Sequence, residues 1–178
     1  MHVNFTYRGT ERPENRIVQI DGAERLVYRN FTGTRDRFNQ NGDRDFCLVI
    51  QDPEIAEALR NDLSSDGAGW NVKIKPAREE GEPPFMFLKI KVKFGVRPPA
   101  VYLRTGDNMV RLDEDTIGCL DDVDIASVDL DIRPYDDVVS GRPFRSAYLQ
   151  SMCVTQDFSR DRFAAQYAKR NGDGYLPI

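Results

Sequence analysis

The sequence predicts a mainly β protein, an OB-like antiparallel β-barrel, small and at least half closed, with one or two added helices. Three observations predict it. Residues 85–94 alternate without a slip, with Met86, Leu88, Ile90, Val92 and Phe94 on one side and Phe85, Phe87, Lys89, Lys91 and Lys93 on the other. Successive side chains of an extended chain point to opposite faces, so this is one long strand with a core side and a charged, aromatic side. Shorter alternating or apolar runs recur along the chain, separated by Gly, Pro, Asn and Asp clusters. Only two or three segments carry helical signals. A barrel of about five strongly curved strands that accepts a helix between them fits this order, and a β-sandwich is the alternative.

Residues 1–15 are polar, with Gly9 and Pro13, and read as a loose lead-in. Residues 16–20 and 25–31 read as short strands around Asp21-Gly22, a hairpin signal. Residues 32–43 are rich in Gly, Asn and charge and read as a loop. Residues 45–50 form a buried-looking strand. Asp52-Pro53-Glu54 then supplies an N-cap, a first-turn proline and an acid, and Ile55, Ala56, Leu59 and Leu63 make one apolar stripe over a helix at 53–63. Trp70, Val72 and Ile74 alternate with Asn71, Lys73 and Lys75, and the acidic turn at 77–84 leads into the central strand.

Pro98-Pro99 ends that strand. Residues 101–104 and 109–112 flank a Thr105-Gly106-Asp107-Asn108 turn. Asp113 caps a short helix at 114–122 with Ile117 and Leu120 inward. Residues 127–133 alternate, 134–143 read as a loop, and 144–155 form a strand covered on both faces. A helix at 159–170 pairs Phe163 with Tyr167. Residues 1–156 are therefore the barrel domain, and 157–178 a C-terminal helix and tail.

The 178 residues suit one domain, and 40% hydrophobic with 30% charged residues is a globular composition able to bury a core unaided. The net charge of -4 means that any nucleic-acid function rests on a local basic patch. Cys47, Cys119 and Cys153 are too few and too scattered for a disulfide framework or zinc knuckle, and Cys47 and Cys153 read as buried thiols of a reducing compartment. No apolar stretch approaches a membrane span and no signal peptide is present, so a cytoplasmic location is expected, the host cytoplasm if the chain is viral.

His2, the single histidine, lies in the lead-in, which removes histidine-based triads and metal sites. Phosphate-binding loops and the nucleophile elbow are missing. Asn39-Gln40-Asn41-Gly42-Asp43 has part of a calcium-loop pattern without its later bidentate Glu. A carboxylate cluster runs through Asp113, Glu114, Asp115, Asp121, Asp122, Asp124, Asp129 and Asp131. It reads as solvated acidic surface, since nothing fixes a coordination geometry. No catalytic residue, cofactor or metal is expected.

The remaining constellation is basic and aromatic. Lys89, Lys91 and Lys93 stand roughly 6–7 Å apart along one strand side. Lys73 and Lys75 repeat the pattern, Tyr102 and Arg104 alternate on the next strand, Arg133 and Tyr135 follow, and Arg145 and Tyr148 open the last strand. With Phe85 and Phe87 they would present cations that track a nucleic-acid backbone and rings that stack bases. A plain solvated strand face is the alternative, and Trp70 and Phe94 fall on the core side.

The run Ile125 to Tyr135, a polar loop with Gly141, the run Phe144 to Val154, and the upstream Gly69-Trp70-Asn71-Val72-Lys73 resemble the closing strands of bacteriophage single-stranded-DNA-binding proteins with an OB fold. The resemblance covers about a third of the chain. It implies a non-enzymatic, sequence-tolerant binder of single-stranded DNA in phage replication or recombination. Replication or recombination proteins would be further partners, and self-association is possible. Such proteins often end in an acidic partner-recruiting tail, whereas this chain ends in Tyr175-Leu176-Pro177-Ile178. Its loop at 35–38 and helix at 53–63 exceed a minimal barrel and could widen the groove or serve dimerisation. Two other readings remain: a phage interaction or host-inhibitor protein whose acidic surface mimics DNA, and a metal-dependent nuclease using the same acids.

Overall fold

The computed structural model describes residues 1–160, 163 and 166. Among them, ten strands form one sheet: β1 (His2–Tyr7), β2 (Arg16–Ala23), β3 (Leu26–Asn30), β4 (Arg44–Ile50), β5 (Val72–Lys75), β6 (Phe85–Val92), β7 (Ala100–Thr105), β8 (Asn108–Leu112), β9 (Ile125–Val139) and β10 (Arg142–Gln156). One α-helix, α1 (Pro53–Asn61), and two 3₁₀ segments, Pro13–Asn15 and Ile117–Asp121, complete the order.

The strands follow the path β1-β2-β9-β10-β6-β4-β3, with β5 added on β6 and the β7–β8 hairpin on β10. The mainly β expectation holds. The all-antiparallel expectation does not, because β10 runs parallel to β6 and to β7. The link between β6 and β7 contains Gly95, Pro98 and Pro99. Prolines cannot donate to a ladder, so this stretch leaves the sheet and re-enters along the same edge of β10 in the same direction. The pairing of β9 with β10 shifts register between Leu149 and Ser151, at the junction of those two parallel partners. The sheet path is open, with β1 and β3 at its ends.

Three local expectations are corrected. The lead-in contains β1, which pairs with β2 from His2↔Asp21 to Tyr7↔Arg16. Asp21-Gly22 makes no hairpin; β2 runs through it, and β3 pairs with β4 instead. Gly22 has φ +67 and donates its N–H to Asp129 Oδ1 at 2.8 Å, beside a register shift between β2 and β9. The positive φ serves a bulge, which in sequence looks like a turn. The loop expected at 134–143 is instead the meeting of β9 and β10, with a tight turn at Ser140 (φ 51) and Gly141 (φ 75). Two successive positive φ values suit the right-handed twist of a hairpin.

The helix at 53 forms as expected. Asp52 accepts the Glu54 N–H at 2.8 Å, and Ala56 and Leu59 are buried, but Leu63 is half exposed beyond the helix end. A Cβ at Gly69 would stand 1.9 Å from the Arg60 carbonyl, so only glycine lets the chain close back onto α1. The segment after Asp113 is a 3₁₀ turn rather than an α-helix; Ile117 and Leu120 are fully buried, as expected. Phe163 and Gln166 are helical; Tyr167, the rest of the helix expected over 159–170 and the tail lie outside the described residues.

One core cluster unites Val18, Ile20, Phe31, Phe46, Leu48, Trp70, Leu88, Ile90, Ile132 and Leu149. Phe31 stacks on Phe46 at 5.0 Å. Cys47 is buried, and burial pushes its thiol up to about 11, leaving it inert.

Candidate nucleic-acid interface

Strand parity divides the sheet into two unlike faces. Met86, Leu88, Ile90 and Val92 of β6 pair with Ile50, Leu48, Phe46 and Arg44 of β4 on the core side. The residues between them, Phe85, Phe87, Lys89 and Lys91, share the opposite face with Val49, Cys47 and Asp45. Across β10 the same face continues: Lys91 stands beside Tyr148, and Tyr148 opposite Arg133 of β9. On the same edge of β6 as β10, nearer the start of the strand, Lys73 and Lys75 of β5 stand opposite Phe87 and Phe85.

The rings on this face form two groups. Tyr135 and Tyr148 are parallel, with centroids 5.1 Å apart and planes within 7°. The Arg133 guanidinium lies 5.1 Å from the Tyr148 centroid. At the far side, Phe85 and Phe87 are 5.4 Å apart, and the Lys75 ammonium is 5.5 Å from Phe87. Phe87 itself is nearly covered, at 6% exposure, by the edge of Tyr28. Tyr28 is 62% exposed and is the ring that meets solvent there.

Tyr28 was not legible in the sequence. Simple alternation puts it on the same side as buried Leu26. In the structure it has φ 51, and the β3–β4 register breaks between Val27 and Asn30. That irregularity turns Tyr28 outward and sends Arg29 to the carbonyls of Leu120 and Val123, at 2.8 and 2.7 Å. Arg111, 6.0 Å from Tyr102, is a further cation on this face that the sequence reading did not single out.

The lysines differ in their partners. Lys89 pairs with Asp45 at 3.1 Å and Lys93 with Asp43 at 3.3 Å, so both are partly neutralised within the fold. Among the described residues, Lys73, Lys75 and Lys91 have no ion-pair partner. Tyr102 and Arg104 share the face but lie past the β10 register shift; Tyr102 is level with Cys153, which stands opposite Asp129. They stand apart from the main group, beside acids.

Arg145 departs from the expectation. Its parity is that of Ala147 and Leu149, and it is fully buried. Its Nε and Nη2 donate to the two Asp136 carboxylate oxygens at 2.7 and 2.9 Å. Nη1 donates to the Asp62 carbonyl at 2.9 Å, and Nη2 also to the Pro13 carbonyl at 3.0 Å. Asp62 in turn accepts from Trp70 Nε1 and from Arg16. This guanidinium is a structural hub with no free donor for a ligand. The core side expected for Trp70 is correct, and Phe94 packs against the core with the Arg44 guanidinium 5.5 Å from its ring.

Several acids of the 113–131 cluster are engaged inside the fold. Asp121 accepts from the N–H groups of Phe31 and Thr32 and from the Thr32 hydroxyl. Asp113 caps its own turn, Asp129 accepts from Gly22, and Asp131 from Ser151 Oγ at 3.2 Å. Among the described residues no group of three or more His, Cys, Asp or Glu is placed to hold a metal ion. No helix among them is long and apolar enough to cross a membrane.

Residues 10–172 match a family model described as "Putative phage ssDNA-binding domain". No curated protein sequence matches the chain. Among solved structures, the single-stranded DNA-binding protein from bacteriophage Enc34 superposes with a TM-score of 0.52 at 11% identity, covering 89% of this chain and 95% of that one. At this identity the likeness speaks for the fold. A C-terminal truncation of the Enc34 protein (TM-score 0.46, 12% identity, 79% of this chain and 84% of that one) aligns less closely. So does its complex with ssDNA (0.47, 12%, 79% and 86%). No argument rests on these two.

Proposed function

This chain belongs to the phage ssDNA-binding domain family, and from that premise we propose that it binds single-stranded DNA across the charged, aromatic sheet face, without sequence preference and without catalysis. The observation that carries this is the continuity of one face over five strands. Lys89 and unpaired Lys91 lie on β6, Lys73 and Lys75 stand beside Phe85 and Phe87 near the start of that strand, and Arg133 with the stacked Tyr135–Tyr148 pair lies beyond its end, across β10. Neighbouring strands stand about 4.8 Å apart, so a strand of DNA crossing from Tyr28 on β3 to Tyr135 on β9 spans on the order of 20 Å, enough for several nucleotides. Cations neutralise phosphates along that path, and exposed rings accept bases, a combination that tolerates any sequence because every base has a π-face.

The architecture that goes with this reading is a half-closed barrel of the OB type. Its support is that β6 and β10 each serve three partners, while the 3₁₀ turn leading into β9 packs on β3, bringing the two sides of the open path together. The setting we propose is phage replication or recombination in the host cytoplasm, where displaced single strands need cover. The test is a fluorescence-anisotropy titration of labelled oligo-dT at two salt concentrations. Micromolar or tighter binding that weakens steeply with salt is expected; a flat titration in dilute buffer would sink the proposal.

A further inference from the structure

Arg133 is the one residue on the proposed face with an unmet polar demand. Its Nε is buried and has no hydrogen-bond partner, the single such side-chain atom among the described residues. No carboxylate is paired with it among the described residues. Burial and then the charge of Arg97 disfavour its charged form, Tyr148 offsets part of this, and Arg8 disfavours it further. None of the three arginines has an ion-pair partner among the described residues, whereas Arg16, Arg44 and Arg145 all do.

The topology explains how the three meet. The Arg8 N–H donates to the Asn15 carbonyl at 2.8 Å and so extends the β1–β2 ladder past Tyr7↔Arg16. Phe5 pairs with buried Val18, which pairs with Ile132 of β9. By alternation Arg8 therefore stands on the opposite side from Phe5, on the same face as Arg133. Arg97 lies in the link that leaves β6 just past Lys91↔Tyr148 and enters β7 beside Ser151. Tyr148 stands opposite Arg133, so the link passes over the same corner of the face.

We propose that Arg133, Arg97 and Arg8 form an anchoring site for one internal phosphodiester of the bound strand, beside a base stacked on the Tyr135–Tyr148 pair. This rests on the DNA-binding reading above and gives it a fixed point. Three guanidinium groups without a carboxylate repel one another, and a phosphate between them turns that repulsion into attraction. Guanidinium forks suit phosphate oxygens, and the unmatched Nε gains an acceptor. Elsewhere on the face Lys89 and Lys93 carry their own acids, whereas none of these three arginines does.

The experiment is a salt series of labelled oligo-dT binding with the wild type, Arg97→Ala, Arg8→Ala and the double variant, and with Arg60→Ala on exposed α1 as a charge-matched control. The substituted arginines of the test pair lie on exposed positions, so folding is expected to survive. Each should weaken binding roughly 3–10-fold and lower the log–log salt slope by about one, with Arg60→Ala close to wild type. A double variant with wild-type affinity and slope overturns the anchor while leaving DNA binding intact. An equal loss in Arg60→Ala also overturns it, because net charge alone would then explain the effect. A wild type that ignores oligo-dT ends both readings and is recognised by that result. A strong preference for 5′-phosphorylated oligo-dT, or displacement by millimolar inorganic phosphate, would overturn the internal-phosphodiester assignment in favour of a terminal or free phosphate.

Discussion

Arg133 and Arg145 sit on the two arms of one hairpin and differ in almost every respect that matters. Arg145 points into the core, is fully buried, and spends its donors on Asp136, Asp62 and Pro13. Arg133 points the other way, lies against Tyr148, and keeps a buried Nε without an acceptor. The same side chain is a rivet on one face and an open valence on the other. Two links of the argument meet here: strand parity decides the face, and the face decides whether a cation meets a carboxylate or waits for an anion.

That contrast can be broken experimentally, and the largest effect is expected on the core side. Arg145→Met removes the partner of Asp136 and one partner of Asp62 and should cost about 3–5 kcal/mol of stability in urea unfolding, since it leaves half-buried carboxylates short of a partner and a fully buried donor site empty. Affinity for oligo-dT per folded molecule should be unchanged. A loss below about 1 kcal/mol would mean that the network relaxes and Arg145 is no rivet.

On the outer face the expected pattern is reversed. Tyr148→Ala should leave the unfolding midpoint nearly unmoved and cost about 1–3 kcal/mol of oligo-dT binding, the range for one stacked base. Unaltered affinity would show that the Tyr135–Tyr148 pair stacks only on itself. A smaller effect separates the lysines. Lys91→Gln should lower the log–log salt slope by about one, whereas Lys89→Gln should change it less, because Asp45 already stands 3.1 Å from Lys89. Equal slopes for the two variants would remove the distinction between free and paired lysines.

The smallest effect concerns Asp131, which shares the outer face with Arg133. Burial holds its carboxyl above the usual range, Ser151 offsets part of this by hydrogen bonding, and Asp21 raises it further. A folded-state value above the unfolded one means that the native state holds the proton longer. Stability therefore falls as pH rises through that window and stays lowered above it. Asp131→Asn should raise the thermal midpoint slightly at neutral pH, and the gain should fade as the pH drops below the carboxylate range. A gain independent of pH would assign the effect to packing.

Much of the charged, aromatic face was legible because the alternation in 85–94 is uninterrupted, and parity alone placed Lys89, Lys91 and Phe85 together. The failures have physical causes. Arg145 was assigned outward by its proximity to Tyr148, yet residues of one strand at odd separations face opposite ways. Tyr28 was missed because a β3 irregularity at positive φ reverses the parity that Leu26 sets. Asp21-Gly22 looked like a turn because positive φ serves bulges as well as hairpins. Residues 134–143 looked like a loop because hairpin arms beyond the core lose their apolar side; Val138 and Val139 are exposed there.

By itself the sequence determined the β-rich class, the capped helix after Asp52 and the two-faced central strand, because each depends on neighbours within a few residues. Only the tertiary structure decided that β10 would run parallel to β6 and β7, that Arg145 would meet Asp136 and Asp62, and that Arg133 would lie against Tyr148 with a buried Nε left unpartnered. Those outcomes depend on which strand edges find each other across long stretches of chain. Local alternation carries no information about that pairing.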